Sequence, residues 1–182
     1  NHPDEPIAKR FSLPQALHFL DSASLEWQQT WQCFTCHTNV SYLITRPRVL
    51  ADAPAHREVR KYAEELISLR WSEVGQRFDA EVVAIAAALA LNDAVTTKKL
   101  HPLTRIALDK MWTVQRPEGD WKWPTGCRWP PMESDDHYGV TLAAIGVGAA
   151  PDEYAKTPVA QAGLAKIRAY LQQHPPQNLH HK

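Results

Sequence analysis

Apolar positions recur along the chain at i, i+3, i+4 and i+7 in about seven stretches, and no stretch sustains the strict alternation of a half-buried strand. The pattern predicts an all-α fold. The first helix is expected to start at Ser12, whose hydroxyl can form a capping box with Gln15. It should end near Gln29 and bury a stripe of Leu13, Leu17, Leu20, Trp27 and Trp31. A short second helix follows His37, burying Val40, Leu43 and Ile44. Pro47 lacks a backbone donor and disfavours helix at Arg46, so the helix is expected to stop before it.

The third helix reads from about Pro54, which suits a first turn, to Leu69, with Val59, Tyr62, Leu66 and Leu69 inward. The fourth, roughly Asp79 to Asp93, is Ala-rich and apolar nearly all round, so it should be the most buried. A fifth spans about Leu103 to Val114, and a sixth opens near Asp135 and closes before Pro151. The seventh is capped by Thr157, has Pro158 in its first turn and runs to about Gln173. Such an order suits antiparallel hairpins with apolar inner helices and amphipathic outer ones. Between the fifth and sixth lies Arg116 to Glu133, rich in Trp and Pro, which reads as a long ordered or functional loop.

At 182 residues the chain fits one domain, 1–182, with a real core. Its 44% apolar and 22% charged residues are those of a globular protein, which argues against disorder. Twenty basic residues balance twenty acidic ones and no helix carries a basic stripe, which argues against nucleic acid. The most apolar run, Val82 to Leu91, is about half the roughly 20 residues of a membrane span. A start at Asn1 rather than Met matches either a chain after signal-peptide removal or a fragment of a longer one.

Three cysteines make an odd count, so a disulfide framework does not explain them. Two stand in Cys33, Phe34, Thr35, Cys36, His37, the C-x-x-C-H pattern of c-type haem attachment. Two thiols at this spacing can form thioethers with the two vinyl groups of one porphyrin, which brings His37 beneath the iron as an axial imidazole. The other readings are a zinc site completed by Cys127 or a distant histidine, and a redox dithiol. Zinc wants a second ligand pair that the lone Cys127 does not provide, and a dithiol of the thioredoxin kind comes with a βαβ pattern that is missing here.

For the other side of the iron, His137 is the first candidate, because it stands in the first turn of the sixth helix directly after the aromatic loop. A hydrogen bond to a carboxylate is an equally good use of such a histidine. Met132 is the second candidate and would raise the potential. An open sixth site is also consistent with the sequence. Arg46, Arg48, Arg116 and Arg128 are candidate partners for haem propionates, since guanidinium meets carboxylate in a two-bond fork.

The run Gln115, Arg116, Pro117, Glu118, Gly119, Asp120, Trp121 resembles the Gln and Trp repeat motif of squalene-hopene cyclases and prenyltransferase-type α/α toroids. The resemblance implies that Gln115 caps and Trp121 stacks where an outer helix passes to the next inner one. Glu133, Ser134, Asp135, Asp136 is similar to the acidic D-x-D-D motif of class II terpene cyclases, with Glu in the first place, and Asp135 would match the proton donor. Plain helix-start chemistry, carboxylates that cap free amides and favour the dipole, is the simpler account of Asp135 and Asp136. The likeness covers about two-thirds of the chain and implies a partial α/α toroid of about seven helices. The cyclases use two large toroids, so the fold can carry over without their chemistry.

Three functions follow as expectations. One is a periplasmic monohaem electron carrier with haem c and a redox partner protein. The second is a haem enzyme or small-ligand sensor whose open site faces Glu133, Asp135, Asp136, His137 and Tyr138. The third is a terpenoid-related toroid in which the cysteines hold metal and the Asp pair acts as acid. A half-ring of helices is also expected to be able to form a homodimer.

Overall fold

The computed structural model describes residues 4, 10–34, 36–50, 52–124 and 136–176, and for Cys36 and His37 the backbone alone. Among these residues all regular structure is helical, and seven helices follow one another. They are α1 (Leu13–Trp31), α2 (a π-helical turn, Cys36–Val40, continuing as Ser41–Val49) and α3 (Pro54–Glu65, a π turn Leu66–Arg70, and Trp71–Glu73). Then come α4 (Asp79–Val95), α5 (Pro102–Thr113), α6 (Asp136–Ala149) and α7 (Pro158–Gln173), with a 3-10 turn at Tyr154–Lys156.

Helix starts follow local chemistry. Ser12 accepts from the Gln15 amide and Thr157 from the Ala160 amide, while prolines occupy the first turns of α3, α5 and α7. Helix α4 is the hub. Val82, Val83 and Ala86 to Ala90 are fully buried, and α4 packs most extensively on α6, α5 and α2. Alanines on α4 and glycines on α6 let the two backbones approach. A Cβ at Gly146 would stand 2.6 Å from Ala87 Cα, so only glycine fits. Helix α1 lies on α3 and on the π turn of α2, at the margin of the core, and α7 covers α5 and α6.

Three expectations are corrected. Helix α2 does not stop at Pro47 but continues to Val49. The carbonyl that Pro47 leaves without a helical donor is that of Leu43, and the Asn92 side chain of α4 donates to it at 2.8 Å. Leu69 is 56% exposed rather than inward. The π turn inserts a residue into the helical count, so Ile67 and Trp71 take the inward positions after Leu66. In α1 the apolar stripe is only partly inward, for Leu17 and Trp27 are half-buried whereas Leu13, Leu20 and Trp31 are 46%, 45% and 62% exposed. Ser24 and Gln28 are buried instead, with Asp21 half-buried beside them. Polar bonds set this face. The Arg46 guanidinium forks onto Asp21 at 2.7 and 3.0 Å, Tyr42 donates to Asp21 at 2.6 Å, and Asn39 donates to the Ser24 carbonyl at 3.2 Å.

Candidate functional site

Helix α1 ends on Gln32 in the left-handed region, φ 48°, which turns the chain so that Cys33 and Phe34 come back against the body of the molecule. Phe34 is buried and Cys33 half-buried. The π turn that opens α2 starts at Cys36 and packs on α1, the rest of α2 and α4. The backbone of the motif therefore bridges the marginal helix and the hub. The side chains of Cys36 and His37 lie outside the described residues, as do Cys127, Arg128, Met132, Glu133 and Asp135.

Around Cys33 stands a cluster from the end of α3 and the start of α4. Arg77, Arg70, Glu81 and Tyr62 lie close enough to Cys33 to act on it electrostatically. Glu81 is a buried carboxylate that accepts from Trp71 Nε1 at 2.9 Å and from Arg70 Nη2. The Arg70 Nε is buried with no hydrogen-bond partner. Burial pushes the Cys33 thiol above its ordinary pKa, and the Arg77 guanidinium opposes it. Burial likewise raises Tyr62. A buried carboxylate has to be paired, so Glu81, set among the alanines and valines of α4, is the signal in the sequence that points to this cluster. Arg70 and Arg77 gave none.

Of the guanidinium candidates among the described residues, two are engaged elsewhere and one is exposed. Arg46 holds Asp21, Arg48 is exposed, and Arg116 binds Asp120 through both fork positions and Asp136 Oδ2 at 2.8 Å. Asp136 Oδ1 accepts from the Trp123 amide at 3.2 Å, so this carboxylate ties the 116–124 segment to the start of α6. His137 is buried in the first turn of α6, 8% exposed. Helix α6 packs on α4, α7 and the Tyr154 turn, so α4 is the element it shares with the Cys36–Val40 turn.

The Gln115 to Trp121 run ties the end of α5 to α7. Gln115 Nε2 donates to the Gly119 carbonyl at 3.0 Å and the Gly163 carbonyl at 3.2 Å, and Trp121, fully buried, donates to Met111 O at 2.9 Å and packs on Trp112. Gly119 is needed twice over. Its φ is +103°, and a Cβ there would lie 2.3 Å from Lys166 O.

A second polar region lies between α3 and the α4–α5 connection, a groove of about 580 Å³ that includes His56, Arg60, Glu64, Asp93 and His101. Asn92 Nδ2 contacts His56 Nε2 at 2.7 Å, which makes that nitrogen the acceptor and places the ring proton on Nδ1. Arg60 joins Asn92 Oδ1 at 2.6 Å, Glu64 at 2.8 Å and Asp93 at 2.6 Å. Burial, then the neighbouring Arg60 charge, lowers the His56 pKa.

Compared with models of known protein families, with curated proteins and with solved structures, the chain gives no significant match.

Proposed function

We propose that this chain is a monohaem c-type cytochrome unit, with one haem attached through Cys33 and Cys36 and ligated by His37, and that it transfers electrons to or from a redox partner protein outside the cytoplasm. The C-x-x-C-H run carries the reading. Two thiols and an imidazole at this spacing are the donor set of thioether attachment and axial ligation. The setting of Cys33 supports it. A half-buried sulfur at a chain reversal, next in the chain to the buried Phe34 and within electrostatic reach of Tyr62, Arg70 and Arg77, suits an apolar cofactor that carries carboxylates.

When bound, the haem supplies a one-electron iron couple. The chain's contribution is to hold and orient it and to set its electrostatic surroundings. Arg70 neutralises the buried Glu81, so the site does not present an unpaired carboxylate to the cofactor. His137 remains the proposed distal ligand and Met132 the next. Attachment of this kind in bacteria takes place outside the cytoplasm, which is the basis for proposing a periplasmic location. The contacts of Gln115 and Trp121 support reading the helical layer as part of an α/α toroid, whose open edge a second copy can complete. Asp136, with both oxygens engaged, fits a structural tie better than an acid catalyst.

The test is a pyridine haemochrome spectrum after expression with haem-attachment machinery. A c-type band at one haem per chain is expected, and its loss in the Cys33→Ser, Cys36→Ser double variant. Without a band in the wild type the proposal fails.

A further inference from the structure

The groove between α3 and the α4–α5 connection takes its walls from α3 and from residues 92–102. Its volume of about 580 Å³ falls within the roughly 300–1,000 Å³ of small-molecule sites. A fixed polar network forms its floor. Arg60 holds Asn92 Oδ1, so the Asn92 amide nitrogen is turned to the Leu43 carbonyl and to His56 Nε2. The imidazole is thereby clamped with its proton on Nδ1. His56 is 4% exposed, and that N–H has no partner among the described residues, yet it is not sealed inside the protein. A buried ring that spends one nitrogen on the fold and keeps the other as a donor beside a groove is prepared to meet an acceptor.

The other groups on the groove decide the sign of that acceptor. Lys99 is exposed and makes no ion pair among the described residues. His101 accepts from the Leu103 amide through Nδ1 at 3.3 Å, which leaves its ring proton on Nε2. The carboxylates are already engaged. Glu64 accepts from Arg60 Nε at 2.8 Å, while Asp93 lies 2.6 Å from Arg60 Nη1 and accepts from the His101 amide at 2.9 Å. Two ring N–H groups and one ammonium are thus left for a ligand, and Leu100 and Pro102 add apolar wall. We propose that this groove binds a small organic acid, a carboxylate on a compact apolar body, with the carboxylate accepting from His56 Nδ1 and facing Lys99, and the body against Leu100 and Pro102. The site is independent of the haem reading.

The test is a calorimetric titration of the full chain, produced with haem-attachment machinery, with benzoate, with the neutral benzamide and with inorganic phosphate. Benzoate is expected to bind saturably at one site per chain, and the other two about 10-fold more weakly or worse, since each lacks either the charge or the apolar body. His56→Gln keeps the acceptor that Asn92 uses but lacks the ring N–H, and should weaken benzoate about 10-fold. Lys99→Gln should weaken it about 3-fold. Lys166→Gln, an equal loss of charge at an exposed position on α7, should match the wild type. Because Lys99 is exposed, its variant reports on the site even if His56→Gln loses the fold. Binding is expected to persist in the Cys33→Ser, Cys36→Ser chain, which separates the groove from the haem iron. No saturable binding of benzoate, or binding lost in that double variant, overturns the proposal. So do benzamide or phosphate as tight as benzoate, and a Lys99→Gln or folded His56→Gln chain that binds like Lys166→Gln.

Discussion

Asp21 carries more of the fold than its half-buried position announces. It takes both arms of the Arg46 fork and the Tyr42 hydroxyl, and Arg46 is only 4% exposed. Asp21→Ala leaves that guanidinium buried without its partner, and the expected loss is about 3 kcal/mol in a urea titration. The Arg46 hydrogen bonds hold the Asp21 pKa below its ordinary value. Its contribution to stability is therefore complete above about pH 4, and is lost as the pH falls through the lowered value. Asp21→Asn should remove that acid-side slope. His56 acts one step higher in pH. Its lowered pKa means that the unfolded chain takes up the proton first, so its share of stability is present above about pH 6.5 and declines as the pH falls from there. His56→Gln, whose amide oxygen can still accept from Asn92, is expected to flatten the stability profile in that window. At this scale the cysteine motif was legible because its chemistry is contained in five adjacent residues. Beyond the need of Glu81 for a partner, its pairing with Arg70 and Trp71 was not, because these residues meet across helices and no spacing records them.

Among the elements, boundaries were legible wherever a cap or a first-turn proline decided them, as at Ser12, Pro54, Thr157 and Pro158. They were misread where a distant partner intervened. Pro47 breaks a helix only if the carbonyl of Leu43 goes unserved, and Asn92 serves it. This is testable by a double-mutant cycle. Pro47→Ala restores a backbone donor to that carbonyl, so Asn92→Ala should cost about 1 kcal/mol less in the Pro47→Ala chain than in the wild type. Equal costs in both chains would mean that the bond to Leu43 contributes nothing. The inward face of α3 was shifted by the π turn at Leu66–Arg70, which no apolar periodicity reveals because the turn breaks the period itself. Close helix contacts make a sharper demand. A Cβ at Gly163 would stand 2.2 Å from the Trp112 ring, so Gly163→Ala is expected to destabilise the α5–α7 contact by about 1–3 kcal/mol, read as a lower urea midpoint.

For the whole molecule, the all-α architecture follows from the apolar period, and the central place of α4 from its being apolar on every side. No described helix is long and apolar enough to cross a membrane. The packing of α1 departs from this logic, since its polar face is turned to the protein and Leu13, Leu20 and Trp31 are left facing out. The end of that exposed stripe, Trp31, leads directly into Cys33, which is why the proposed cofactor sits at the junction of α1 with the hub. The proposed distal ligand is tested by His137→Ala. The reduced and oxidised spectra are expected to change to those of an open or replaced sixth site, and unchanged spectra would remove His137 from the iron.

The central claim is covalent attachment at Cys33 and Cys36, and the intact mass of the denatured chain, produced with haem-attachment machinery, tests it most directly. A mass raised by one haem that survives unfolding and thiol reduction, and is absent from the Cys33→Ser, Cys36→Ser chain, is the predicted result. A wild-type mass equal to that of the bare polypeptide would contradict it.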